Sequence, residues 1–158
     1  MIAAKLVKEI ITRLRPGIGN ILDLHGREFL WVVVFDPSDG KTVLFDGVAA
    51  GDPAKCPPEY GDIARRKALL SARTGRDTGA VVAQNAHLLS KGDVIYKGGV
   101  NYNGLVVGAS GAQGPVDEAI ALMIAAQLSA WCQVCVAQLQ DEAKKGGPYL
   151  VPVSEPPL

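Results

Sequence analysis

Apolar residues recur at the helical interval over residues 2–14. Ile2, Leu6, Val7, Ile10, Ile11 and Leu14 share one stripe, while Lys5, Lys8, Glu9 and Arg13 fall elsewhere. This spacing predicts an amphipathic helix, and Pro16-Gly17 is expected to end it. Residues 28–36 form a β-branched and aromatic run without polar alternation, which predicts a strand buried on both faces. Pro37-Ser38-Asp39-Gly40 reads as a turn, and 42–45 return as its hairpin partner. Three prolines and two glycines make 47–59 a long loop. The helical period resumes over 60–73, with Tyr60, Ile63, Ala64, Lys67, Ala68 and Ser71 along one side. A second helix over 78–89 is closed by Lys91-Gly92-Asp93, and 94–96 are expected to resume the sheet.

The stretch 97–131 organises the rest. Val100 and Tyr102 lead into Asn103-Gly104, a pair that supplies the positive φ angles of a two-residue type I′ hairpin, and Leu105, Val106 and Val107 continue as the return strand. Small residues over 108–114 allow a sharp corner. Pro115 suits a first helical position, and Asp117 and Glu118 place negative charge at the positive end of a helix dipole. The apolar run that follows predicts a mostly buried helix reaching Lys144-Lys145, before Gly146-Gly147-Pro148 stops it. Residues 148–158 hold four prolines and no periodicity, so the chain divides into one domain over 1–147 and a proline-rich tail. The sum is an α+β fold, an antiparallel sheet of about five strands flanked by helices with a long C-terminal helix, and no internal repeat.

Composition narrows the function classes. The 158 residues suit a single core, and 48% hydrophobic with 20% charged is the balance of a globular domain. Sixteen basic and sixteen acidic residues cancel, which gives no electrostatic footprint for nucleic acid or an anionic membrane. No run reaches the roughly 20 uninterrupted apolar residues of a membrane span. The first fifteen residues carry charges every few positions instead of the apolar core of a signal peptide. Three unevenly spaced cysteines make no disulfide framework, and a cytoplasmic protein with reduced thiols is expected.

Among residues that carry chemistry, Cys132 and Cys135 have the spacing of a redox pair. They fall far into a helix, away from the N-terminal dipole that activates such thiols, and helix-face packing accounts for them. His25 and His87 are too far apart in the chain to be read as a metal pair, and His87 is expected to be a partly buried packing residue. No Ser/His/Asp arrangement, P-loop or paired-carboxylate spacing is present. Lys67 faces two readings. A cation beside glycine-released backbone N–H groups receives a carboxylate, or the lysine makes a structural ion pair with Asp117.

Three blocks together carry a family resemblance. Gly98-Gly99-Val100 precedes a hairpin through Asn103-Gly104 into Val106-Val107-Gly108-Ala109, a glycine corner, and Asp117-Glu118-Ala119 opening an alanine-rich helix. Val32-Val33-Val34-Phe35-Asp36 followed by Gly40 is a matching strand and turn, and Tyr60-Gly61-Asp62-Ile63-Ala64-Arg65-Arg66-Lys67-Ala68 a matching helix. In this order, over roughly 30–131, the chain resembles the GlcG/HbpS/PduO C-terminal group, often called the heme-degrading domain family. The irregular 17–26 segment departs from the longer first helix of that family.

The resemblance implies a profilin-like layout and a heme-binding protein, with oxidative heme degradation in the presence of peroxide as a further expectation. The cofactor would be heme. His25, near the end of the first helix, is the iron ligand implied by the PduO-type branch, and Cys56 of Cys56-Pro57 is the other candidate. Arg66 and Lys67, with the backbone of Gly98 and Gly99 and the acidic Asp117, would surround the propionates. A second reading is an accessory protein or enzyme that holds a small carboxylate at Lys67 and Gly98-Gly99. A third is a structural subunit, because family members form closed homo-oligomers.

Overall fold

A computed structural model describes residues 2–145. The expected tail over 148–158 lies outside the described residues. The chain folds into α1 (Ala4–Leu24), β1 (Leu30–Phe35), β2 (Val43–Ala50), α2 (Pro58–Thr74), α3 (Thr78–Gln84), β3 (Gly99–Tyr102), β4 (Leu105–Ser110) and α4 (Gly114–Lys144). The fold is α+β. Its strands form one antiparallel sheet in the order β2-β1-β4-β3.

The sheet therefore has four strands among the described residues, not the five expected. Residues 94–96 stay outside the ladder because turns bracket them closely. Gly92 has φ 94° on one side and Gly98 has φ 123° on the other, and Ile95 and Tyr96 face solvent. The 78–89 helix is also shorter than expected. It stops at Gln84, a single 3-10 turn follows over Ala86–Leu88, and His87 on that turn is exposed rather than partly buried.

The largest correction concerns α1. Pro16-Gly17 does not end it, and the helix runs on to Leu24 with Pro16 inside. The buried stripe of Leu6, Val7 and Ile11 continues through Ile18 and Leu22, so the helical period outlasts the proline. The loop expected over 47–59 shortens as well, because β2 extends to Ala50 and α2 already starts at Pro58.

Both faces of the sheet are covered. On one, Leu30, Val32, Val34, Val107 and Ala109 pack with Ile11, Ile18 and Leu22 of α1 and with Ile120, Ile124 and Leu128 of α4. On the other, Val33, Phe35 and Val106 meet Ala64 and Ala68 of α2. The predicted two-sided burial of β1 follows from this sandwich. The small residues of α2 let it approach closely, and Gly108 beneath it has no room for a side chain, since a Cβ there would strike the Ala64 carbonyl. The hairpin turn is as expected, with φ 52° at Asn103 and 92° at Gly104.

One described helix, within Gly114–Glu142, is long and apolar enough by length and composition to cross a membrane. Gln127, Ser129 and Gln133 interrupt its apolar run, which is why counting uninterrupted residues misses it. Its first half is a core helix here, with Ile120, Ala121, Ile124, Ala125 and Leu128 buried against the sheet.

Candidate functional site

At the end of the sheet where β4 turns into α4, a cavity of about 280 Å³ opens between that corner, α2, and the two segments that lead into β1 and β3. Its inner wall holds Lys67, Ser110, Gly111 and Asp117, all buried. Its mouth is made by Arg27 and Tyr96, both exposed, with the half-buried Tyr60 and Ile63 between.

Each wall residue has a local cause. Lys67 projects from the third turn of α2 on the same side as Ala64 and Ala68, which the packing on β4 turns toward the corner. Its Nζ donates to the Ala109 carbonyl at 2.8 Å and to Asp117 Oδ2 at 3.0 Å. The other Asp117 oxygen accepts the Ala112 N–H at 2.8 Å, so this carboxylate ties together the glycine corner, the start of α4 and α2. Burial pushes the Lys67 amine below its ordinary value, partly offset by Asp117. Burial likewise pushes the Asp117 carboxyl up, partly offset by Lys67. Glu118 adds a further negative charge, and its Oε2 is buried without a partner among the described residues.

Gly98 completes the wall without lining it. A Cβ there would lie 2.7 Å from Lys67 Nζ and 2.7 Å from the Ala109 oxygen, and φ of 123° suits glycine alone. Gly99 packs just as closely, with a Cβ 2.5 Å from the Lys67 carbonyl. Its N–H donates to Thr78 Oγ1 at 3.0 Å and so is not free for a ligand.

Of the residues singled out in the sequence, Lys67, Gly98, Gly99 and Asp117 come together and three stand elsewhere. His25 is exposed at the C-terminal cap of α1, where its backbone N–H donates to the Leu22 carbonyl at 3.0 Å. Arg66 is on the outer side of α2, paired with Asp62 at 3.0 Å and donating to the Gly92 carbonyl at 3.2 Å. Cys56 is buried before α2, with Sγ 3.8 Å from the Pro57 carbonyl. Burial first, and then Glu59, push its thiol above the ordinary value, which works against a thiolate ligand.

Arg27, Ser110 and Tyr96 are site residues the sequence did not reveal. Arg27 follows a helix whose Pro16-Gly17 pair reads as its end ten residues earlier, and Tyr96 belongs to a segment that reads as strand. No motif marked either one. The Arg27 guanidinium has no ion-pair partner among the described residues, although the other cation of this cavity, Lys67, is paired. No group of three or more metal-ligating side chains occurs among the described residues.

Comparison with known proteins gives no match for this chain, either to a family model or to a curated protein.

Proposed function

We propose that this chain is a ligand-binding protein of the GlcG/HbpS type, with the profilin-like layout of that group, and that its corner cavity holds a small organic carboxylate. The observation that carries the reading is Arg27, a cation without an ion-pair partner among the described residues, at the mouth of a cavity whose inner cation is already paired. A guanidinium binds carboxylate through charge-assisted, often bidentate, hydrogen bonds. Tyr60, Tyr96 and Ser110 line the same space, and their side chains carry hydroxyls, which are neutral donors. A volume of about 280 Å³ lies at the small end of ligand sites and suits an acid of a few carbons. Lys67 then serves as part of the wall and not as the primary anion receiver.

The test is a calorimetric titration with lactate, pyruvate and succinate, repeated on Arg27→Ala. Saturable binding of one of them, weakened about tenfold or more in the variant, is expected. Binding that ignores Arg27 would overturn the assignment.

A second reading, heme, is favoured by one observation: α1 runs unbroken to Leu24, so exposed His25 stands at the end of the first helix, where the resemblance implies an iron ligand. His25 would hold the iron and Arg27 a propionate, while Cys56, buried with its thiol pushed up, does not fit as a ligand. Bound heme would supply oxidative chemistry that belongs to the iron. A visible-range hemin titration separates the readings. A saturable Soret shift lost in His25→Ala and kept in Cys56→Ala would assign heme, and a featureless response would leave the small acid. On either reading we propose a homo-oligomer, supported by the exposed apolar residues Val134 and Val136 on the far half of α4.

A further inference from the structure

We propose that the Lys67 amine captures a short oxo acid in the corner cavity as an imine, with Asp117 relaying the protons and Arg27 holding the acid's carboxylate. The inference rests on the small-carboxylate reading and names the chemistry of its ligand.

Lys67 is among the largest fully buried side chains of the molecule, yet it belongs to the wall of a cavity that opens to solvent. A lysine that only filled the core would have no such access. Its ammonium has three donors, and two are placed, on Ala109 and Asp117. Gly98 packs directly behind this nitrogen, where any side chain would begin 2.7 Å from it, so the amine sits between that backbone and the cavity that Lys67 lines. Asp117 Oδ2 at 3.0 Å is within proton-transfer reach of the same nitrogen. Desolvation favours the neutral, nucleophilic amine, and the same burial that lowers the lysine raises the acid that must accept its proton.

The step balances with no other reactant. Asp117 takes one proton from the ammonium, and the freed lone pair attacks the carbonyl carbon. Asp117 returns that proton to the carbonyl oxygen, giving the carbinolamine. It then takes a second proton from nitrogen and delivers it to the hydroxyl, which leaves as water. The product is a protonated imine that retains one N–H toward the Asp117 carboxylate. Lysine ammonium and carbonyl become protonated imine and water, and nothing is oxidised or reduced. The ligand class follows from the groups present: a carboxylate for Arg27, a ketone or aldehyde for Lys67, and a carbon skeleton short enough for the cavity.

The experiment treats the full chain with pyruvate or glyoxylate and sodium cyanoborohydride, then maps modified lysines by peptide mass spectrometry. The expected result is one N-carboxyalkyl adduct per chain, on Lys67, reduced about tenfold or more in Arg27→Ala. Lys67→Arg, which keeps a cation for Asp117 and cannot form an imine, is expected to give no site-specific adduct. Adducts scattered over exposed lysines with Lys67 unmodified would overturn the inference. Lactate has no carbonyl at the reacting carbon and separates the two levels. Saturable lactate binding without trapping at Lys67 removes the imine and leaves the carboxylate site standing, while neither binding nor trapping removes both.

Discussion

An ammonium group withdrawn from water needs a partner, and Asp117 provides it for Lys67 at 3.0 Å with both side chains almost fully buried. Removing one member strands the other. Lys67→Met is expected to cost about 3–5 kcal/mol in urea unfolding, because the Asp117 charge stays buried without its counterion. Adding Asp117→Asn should recover part of that loss. Asparagine carries no charge, and its oxygen still accepts the Ala112 N–H that the aspartate satisfies in the native chain. A double variant no more stable than Lys67→Met would mean that the stranded Asp117 charge is not what destabilises the single variant. A different carboxylate is perturbed toward the acid range. Asp39 in the β1–β2 turn accepts the Thr42 hydroxyl and the N–H groups of Thr42 and Lys41, and these hold its pKa at about 2. A depressed carboxyl stabilises the fold above its ordinary value of 3.8, and that contribution is lost as pH falls through about 2. A carboxyl carbon NMR titration of Asp39 should therefore show a midpoint near 2, and Thr42→Val should move it upward toward 3.8. At this scale the sequence was informative about Lys67, Asp117 and the two glycines, because a short motif placed each on a turn or helix face. It left open whether Lys67 served a ligand or an ion pair, since the alternatives use the same residues at the same spacing. Only the 3.0 Å contact places the pair.

Among elements, α1 shows how burial overrides a local breaker. Pro16 cannot donate to the Thr12 carbonyl, which in a helix interior costs about 3 kcal/mol. Beyond it, Ile18 and Leu22 are fully buried, each contributing roughly 1.5–3 kcal/mol, so continuing the helix at least offsets the break. Arg15 also fastens this part of the helix, donating to the carbonyls of Val48 and Gly51 at the end of β2. The sequence shows the stripe and the proline but not which is stronger, because the sheet that buries Ile18 and Leu22 is assembled from residues far along the chain. The same limit explains residues 94–96, whose apolar character reads as strand until the turns on either side are seen to leave no ladder position. Glycines in α1 give the corresponding prediction. A Cβ at Gly17 or Gly19 would meet nothing within 4 Å, and both lie in the helix interior. Gly17→Ala and Gly19→Ala should each stabilise by about 0.5–1 kcal/mol, read as a rise of a few degrees in Tm. A fall in Tm would mean that the helix bends at these glycines in a way alanine resists.

The whole molecule has its corner cavity at one end and its uncovered apolar residues at the other. The cavity collects residues from α2, the β4–α4 corner and the segments before β1 and β3, so a ligand there would bridge elements from both layers. From that end α4 runs 31 residues, about 46 Å at 1.5 Å per residue, whereas the six-residue strands beneath it span about 20 Å. The sheet can cover only the first half. Burial stops at Leu128, and Val134 and Val136 beyond it are 53% and 52% exposed. Apolar residues left uncovered on a helix that outruns its sheet fit a chain whose core continues into a second copy. Replacing both residues, as Val134→Glu with Val136→Glu, should therefore reduce the molar mass seen in light scattering to that of one chain. Tm measured on the dissociated form should move little, because both side chains are about half exposed within their own subunit. If the variant keeps the mass of the native protein, the overhanging helix is not the assembly surface and the homo-oligomer loses the observation that supports it.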